Sequence, residues 1–371
     1  MLAALFLLVR AQQLMKPSAT RNRGQLLADF LAGSWRATQA RVDFSLSDFE
    51  RITTLLYNSG GAGLAWWRIH ESDLKTTQCG ELLHQGYRLQ VLQAGIQQTK
   101  IQKVFRLMRA SGAEPILLKG WAIARLYPHA ALRPYGDIDL FVRRDDYPAA
   151  QKVIKSDEGR DCWVDLHARI FELADRDPEG LFSRSQVVPC GDEEVRVLCA
   201  EDHFALLAVH MLKHGAWRPL WLCDLGLLLE SMPDDFDWKL CLGRSKRRSN
   251  WILSAVGLAH QLIGARIGND EIAARSREIP RWLVPAVLKQ WEAPFREAHE
   301  SLPLMAGYLR RPVGFVREIP NRWPDPIVAT VNVRGKFNNY PRVAYQLCEM
   351  AARTAKCFWS LPQRSTLRQS D

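Results

Sequence analysis

No two of the eight cysteines stand in C-x-x-C spacing, and the closest pairs, Cys190 with Cys199 and Cys348 with Cys357, are nine positions apart. That argues against a zinc ribbon and against a dense disulfide framework. Buried reduced thiols in a cytoplasmic protein are the expectation. Nor is there an apolar run near the roughly 20 residues that a membrane-spanning helix needs. The N-terminal run MLAALFLLV meets Arg10 after nine residues. It lacks the preceding basic residues and the following small-residue cleavage site of a secretory signal. It reads as an amphipathic or buried first helix, or as a start placed slightly upstream. Low-complexity tracts, collagen-like periods and internal repeats are also missing. Of the 371 residues, 47% are hydrophobic and 24% charged, which excludes wholesale disorder and allows two or three domains.

Positive charge is in surplus. Lys and Arg number 50 against 40 Asp and Glu, a net +10. Such a surplus suits phosphate-bearing partners, whether nucleotides, nucleic acid or an anionic membrane, without choosing among them. It is uneven: residues 301–371 hold eleven Lys/Arg and four Asp/Glu, so +7 lies there.

Local signals divide the chain into four regions. Residues 1–110 read as helical, with Ser45 or Asp48 as a cap and a break at Asn58-Ser-Gly-Gly. From Leu82 to Arg109, the residues Leu89, Leu92, Ile96, Ile101, Val104, Leu107 and Met108 fall on one face of a long helix. Residues 111–199 change character. Short apolar strands near Pro115–Leu118, Asp137–Val142 and Cys162–His167 alternate with helices near 120–127 and 147–154, and two strands flank Gly191-Asp192. Residues 200–310 return to helix, beginning with Glu201 and Asp202 at the positive end of a helix dipole. Residues 311–371 form a basic extension: an irregular proline-rich stretch to about 340, a last helix near 341–358, and a frayed tail from 360. The expected fold class is α+β, a small mixed sheet with helices on one side, embedded in helical N- and C-terminal regions.

The chemistry centres on Gly136-Asp137-Ile138-Asp139-Leu140. Two aspartates at i and i+2 on a strand share one face, so both carboxylates reach one metal cluster. Hard divalent cations take carboxylate oxygens together with substrate phosphates. Two such cations about 4 Å apart hold the attacking and leaving oxygens of an in-line phosphoryl displacement. Upstream, Lys119-Gly120 ends a strand and opens a helix, where glycine lets a phosphate approach the backbone. Downstream, Asp165 lies on the third strand with His167 two residues on, facing the same way. Each residue also has a plainer reading. Lys119 extends its stem from a strand end, Arg133 clamps a carboxylate, and His167 packs.

The stretch ILLKGWAIARLYPHAALRPYGDIDLFV, from Ile116 to Val142, resembles the nucleotidyltransferase superfamily that includes DNA polymerase β. More narrowly it is similar to the bacterial family labelled uncharacterised nucleotidyltransferase. That family's later carboxylate-apolar-His segment matches Val164-Asp165-Leu166-His167. Its helix with an acidic start and Lys-His matches Glu201-Asp202-His203 through Lys213-His214, and Asp224 matches a following aspartate. The resemblance implies that Asp137, Asp139 and Asp165 are catalytic and bind the metals, Mg²⁺ or Mn²⁺. It implies that Gly120 sits under the triphosphate and that Lys119 and Arg133 neutralise phosphate charge. The donor is an NTP, such as ATP, and the acceptor is open among small molecule, sugar, peptide, protein and RNA. One departure stands out: Trp121 follows Gly120 where the superfamily has Gly or Ser.

Two rivals remain. One is an inactive nucleotide- or RNA-binding relative. The other is a zinc hydrolase built on His210, His214 and Asp224, since histidines at i and i+4 share a helical face; the plainer reading is that these histidines pack. The basic run Arg244–Arg248 is either a solvated face or a holder for an acidic acceptor. Trp121 and Trp163 are possible base-stacking groups.

Overall fold

The computed structural model describes residues 21–38, 43–292 and 323–365. The apolar N-terminal run lies outside them. Asn22 and Ser45 accept backbone N–H groups of Gln25 and Asp48 and so open α1 (Arg23–Leu31) and α2 (Leu46–Asn58). After the break at Ser59-Gly60-Gly61 comes α3 (Ala62–Ile69). Thr77 then caps the 33-residue α4 (Gln78–Ala110).

The face that α4 buries differs from the expected one. Leu83, Gly86, Gln90, Ile101, Val104, Phe105 and Met108 point inward, while Leu89, Leu92 and Ile96 are exposed. Close approach explains it. A Cβ at Gly86 would lie 2.6 Å from the Ala62 Cβ, so α3 nests on a residue without a side chain. Gln90 completes that contact by accepting from the Gly63 N–H at 2.8 Å and donating to the Gly60 carbonyl at 2.9 Å. The helix packs here on its smallest and most polar positions.

The sheet is built from β1 (Ile116–Leu117), β2 (Ile138–Phe141), β3 (Val164–His167), β4 (Gln186–Cys190) and β5 (Glu193–Val197). Its order is β3-β2-β1-β5-β4. β2–β3 and β1–β5 are parallel; β1–β2 and β4–β5 are antiparallel. Between the strands run α5 (Trp121–Ala124), α6 (Tyr147–Lys155), α7 (Asp157–Arg160), a 3₁₀ turn at Phe171–Leu173, and α8 (Pro178–Arg184). The fold is therefore α+β with helical flanks. Alternation sends Leu117, Ile138, Leu140, Val195 and Val197 to one core, shared with Ile101, Phe105 and Met108 of α4. Ile116, Leu118 and Phe141 go to the opposite core, which is continuous with the helical regions from Leu26 to Phe337. Helices thus cover both faces rather than one.

The remaining helices are α9 (Ala200–Lys213), α10 (Pro219–Glu230), α11 (Trp238–Leu242), α12 (Lys246–Ile263), α13 (Asp270–Arg277), α14 (Leu283–Glu292), α15 (Pro326–Asn332) and α16 (Val343–Ser365). The stretch read as irregular contains α15, because Asp325 Oδ1 accepts the N–H groups of Ile327 and Val328 and Pro326 occupies the first turn. The last helix runs through the expected start of the frayed tail to Ser365. Within Arg244–Arg248, Ser245 caps α12 and Arg248 turns inward, donating to the carbonyls of Phe171 and Glu172. Among the described residues, no helix is long and apolar enough to cross a membrane.

Candidate active site

The parallel β2–β3 register sets Asp139 directly beside Asp165. Alternation then places Asp137 and Asp139 of the β2 segment, and Asp165 and His167 of β3, on one face. Asp139 is 4% exposed, whereas the Asp165 side chain is 60% exposed. Lys119 Nζ lies 2.8 Å from Asp139 Oδ1. His167 Nε2 lies 3.4 Å from that same oxygen and 3.2 Å from Asp165 Oδ2. Ligand atoms of Asp139, Asp165 and His167 all fall within 4.8 Å of one another. Asp137 stands outside that trio but lines the same cavity.

This cavity measures about 300 Å³. It is lined by Lys119, the three aspartates and His167 of the sheet, by Arg169 and Glu172 of the segment after β3, and by His210, Lys213 and His214 at the end of α9. A larger hollow of about 400 Å³, beside the end of α10, contains Glu230 already paired with Arg36 and Arg266. The smaller cavity is the candidate site, because it gathers strand-borne carboxylates with Lys119, Arg169 and Lys213.

Electrostatics follow from burial and pairing. Burial pushes the Asp139 carboxyl up, but the His167 hydrogen bond and the Lys119 charge outweigh it and hold the group below its ordinary value. The same hydrogen bond raises His167, against the opposing effect of its burial and with help from Asp165. Glu172 behaves like Asp139: burial raises it, and His210 and Lys213 bring it well below the usual carboxylate range. Lys213 Nζ is 3.0 Å from Glu172 Oε1, and His210 Nδ1 is 3.7 Å from it. Burial lowers His210, and it lowers His214 to about 4 with added repulsion from His210 and Lys213.

Gly120 makes the corner that brings Lys119 to the cavity. Its φ of 64° and ψ of −112° suit glycine alone, and a Cβ would lie 3.3 Å from that of Tyr135. The Leu118 N–H donates to the Asp139 carbonyl at 3.0 Å and ties the corner to β2. Trp121, next in the chain, is buried in the core on the sheet's opposite face, so it is not a stacking surface for a base. Trp163 is 71% exposed, with φ 55°, and Lys100 Nζ sits 5.6 Å from its ring centroid.

Arg133 is not brought to the cavity. It is 5% exposed and donates from Nη2 to Asp224 Oδ2 at 2.9 Å, and from Nη1 to the Pro134 carbonyl. Tyr127 Oη donates to Asp224 Oδ1 at 2.8 Å. These bonds clamp the loop before β2 onto α10, which is the carboxylate-clamp alternative for Arg133. They also separate Asp224 from His210 and His214, and the zinc trio does not assemble. The two histidine rings lie 4.5 Å apart between centroids, tilted by 51°, and pack on Trp221.

Sequence reasoning missed Arg169 and Glu172. Arg169 continues the every-second-residue series Asp165, His167, so the alternation itself was the available signal. Glu172 had none: it sits in a 3₁₀ turn whose carbonyl is held by Arg248, 76 residues further on.

The donor set fits a divalent cation: two carboxylates and an imidazole converge at the edge of a polar cavity. Fold and site together define an α+β protein organised round strand-borne carboxylates that line a polar cavity. The chain belongs to the family described as uncharacterised nucleotidyltransferase, which matches residues 45–160 and 155–264 and so contains every cavity residue named above. Comparison with curated proteins and with solved structures gives no match.

Proposed function

We propose that the protein transfers a nucleoside monophosphate from an NTP, ATP among the donors, to an acceptor. The acceptor class is a small molecule, sugar, peptide, protein or RNA end. The observation that carries this reading is the in-register pair Asp139–Asp165, which lines a cavity of about 300 Å³ together with Lys119, Arg169 and Lys213. In the reaction an acceptor hydroxyl oxygen bonds to the α-phosphorus. The bond from that phosphorus to the α–β bridging oxygen breaks, pyrophosphate leaves, and the hydroxyl proton passes to a base in the cavity.

Asp139 and Asp165 hold the cofactor cation, Mg²⁺ or Mn²⁺, with Asp137 as the further carboxylate. The bound cation supplies charge neutralisation on the triphosphate. Lys119, Arg169 and Lys213, all in the cavity lining, reach the phosphates. Gly120 leaves the corner beside Lys119 free of a side chain. Positioning and charge stabilisation carry the rate. The seven free cysteines among the described residues, five of them buried, support a reducing, cytoplasmic setting.

The test is pyrophosphate release and label transfer from each α-labelled NTP, with Mg²⁺ or Mn²⁺ and a panel of the acceptor classes. Release that disappears in Asp139→Asn is the expected result. NTP binding without release, unchanged in Asp139→Asn, points instead to a non-catalytic binding module.

A further inference from the structure

We infer that His167 is itself a ligand of the site's divalent cation, through Nε2, and that the site therefore selects Mn²⁺ over Mg²⁺. The inference rests on the metal-dependent reading above and adds to it a nitrogen donor and a metal preference. A wholly carboxylate site would have neither.

The first argument is the position of one atom. Nε2 lies 3.4 Å from Asp139 Oδ1 and 3.2 Å from Asp165 Oδ2. Two ligands at right angles, each about 2.1–2.2 Å from one cation, are about 3 Å apart. The same nitrogen thus stands at neighbouring-ligand distance from both carboxylates, which come from two different strands.

The second argument is which carboxylate is left out. Asp137, the expected third oxygen donor, is outside the converging trio, and His167 occupies its place. β3 makes this unavoidable. Asp165 and His167 are two residues apart on one strand, and the β2 register pairs Asp139 with Asp165 and Phe141 with His167.

The third argument is charge. Lys119 Nζ at 2.8 Å and His167 Nε2 crowd the single oxygen Asp139 Oδ1. An ammonium and an imidazole here fill the role of a cation for a carboxylate that is 4% exposed. Cation binding releases Lys119 toward the phosphates and leaves the imidazole nitrogen as a donor.

Metal preference follows from the donors. Mg²⁺ keeps an oxygen shell and dehydrates reluctantly. Imidazole suits the transition metals, while carboxylates and phosphates suit Mg²⁺ and Mn²⁺ alike. Of the two cations proposed for this site, Mn²⁺, the transition metal, is the one that a two-carboxylate, one-imidazole set favours.

The test uses the full chain loaded with Mn²⁺ and pulsed electron paramagnetic resonance. Expected are nitrogen-14 modulations of a directly bound imidazole that vanish in His167→Gln. In that variant Mn²⁺ affinity falls at least about tenfold, Mg²⁺ affinity changes little, and the Mn²⁺/Mg²⁺ preference shrinks by a similar factor. Asp139→Asn, an isosteric change, also removes the nitrogen signal and so locates it here. Circular dichroism and thermal midpoints confirm that both variants are folded. Mn²⁺ bound without nitrogen coupling, or a metal preference identical in native chain and His167→Gln, overturns the inference and leaves the proposed function standing. Failure to bind either metal overturns both.

Discussion

Asp224 and Asp139 are both nearly buried, at 1% and 4% exposure, and both face positive charge. Their surroundings differ in how the oxygens are used. Around Asp224 both oxygens are filled by the same two neighbours: Tyr127 Oη and Arg133 Nε donate to Oδ1, and Arg133 Nε and Nη2 to Oδ2. The cluster is closed, and its product is a fixed loop. Around Asp139 the Lys119 ammonium and the His167 imidazole converge on one oxygen, and its strand neighbour Asp165 is mostly exposed. That cluster opens on a cavity. A buried charge with every lone pair matched is architecture, whereas one with competing partners and an open side is suited to exchanging them for a ligand.

The largest expected effect separates these two carboxylates by activity. Asp139→Asn lowers nucleotidyl transfer by about a thousandfold, roughly 4 kcal/mol of transition-state stabilisation, with little change in thermal midpoint. Turnover measured beside calorimetry checks it. If transfer survives this variant, the open cluster is not the reaction centre.

Arg133→Met tests the closed cluster. It leaves Asp224 buried without its cation, so unfolding free energy falls by about 3–5 kcal/mol in urea titrations. The protein that remains folded keeps its transfer rate. A stability loss below about 1 kcal/mol would show that the clamp on the loop is dispensable.

Acid provides a third, somewhat smaller contrast. His203, wholly buried near Asp224, and His214, on the cavity wall, have their pKa values lowered from 6.5 to about 4, chiefly by burial. A lowered histidine pKa means that the fold favours the neutral ring. That contribution is complete above pH 6.5 and is lost as pH falls toward 4, by up to about 3 kcal/mol for His203. His167 works in the opposite sense. Its raised pKa adds stability below 6.5 that disappears as pH rises through the folded-state value. Unfolding measured from pH 7 to 4 should show a steep loss that flattens in His203→Leu and steepens in His167→Gln.

The smallest effect falls on the surface. Trp163→Ala should change stability by no more than about 0.5 kcal/mol, because the ring is exposed, with the Lys100 ammonium over it. A larger loss in denaturant titration would mean that the residue's positive φ is held by packing rather than tolerated.

Much of the sheet was legible in the chain. The alternation in Asp137-Ile138-Asp139-Leu140 and in Val164-Asp165-Leu166-His167 placed the acidic groups on one face before any contact was known. Glycine at 120 marked the corner because its backbone conformation excludes side chains. Faces and partners were less legible. The stripe Leu89, Leu92, Ile96 had the stronger hydrophobic signal, yet α4 buries Gly86 and Gln90, since the approach of α3 depends on what is small rather than on what is apolar. Arg133 was equally readable as a phosphate contact or a clamp until Asp224, 91 residues away, was seen to hold it.

By itself the sequence determined the order of helices and strands, the shared face of its aspartates, and membership of a nucleotidyltransferase family. Each depends on neighbours within a few residues: strand alternation, helix caps, a glycine turn. Only the tertiary structure decided that Asp139 is enclosed while Asp165 is open, that His167 rather than Asp137 joins them, and that Arg133 is sealed away. Those outcomes depend on burial and pairing between distant segments, which no local periodicity encodes.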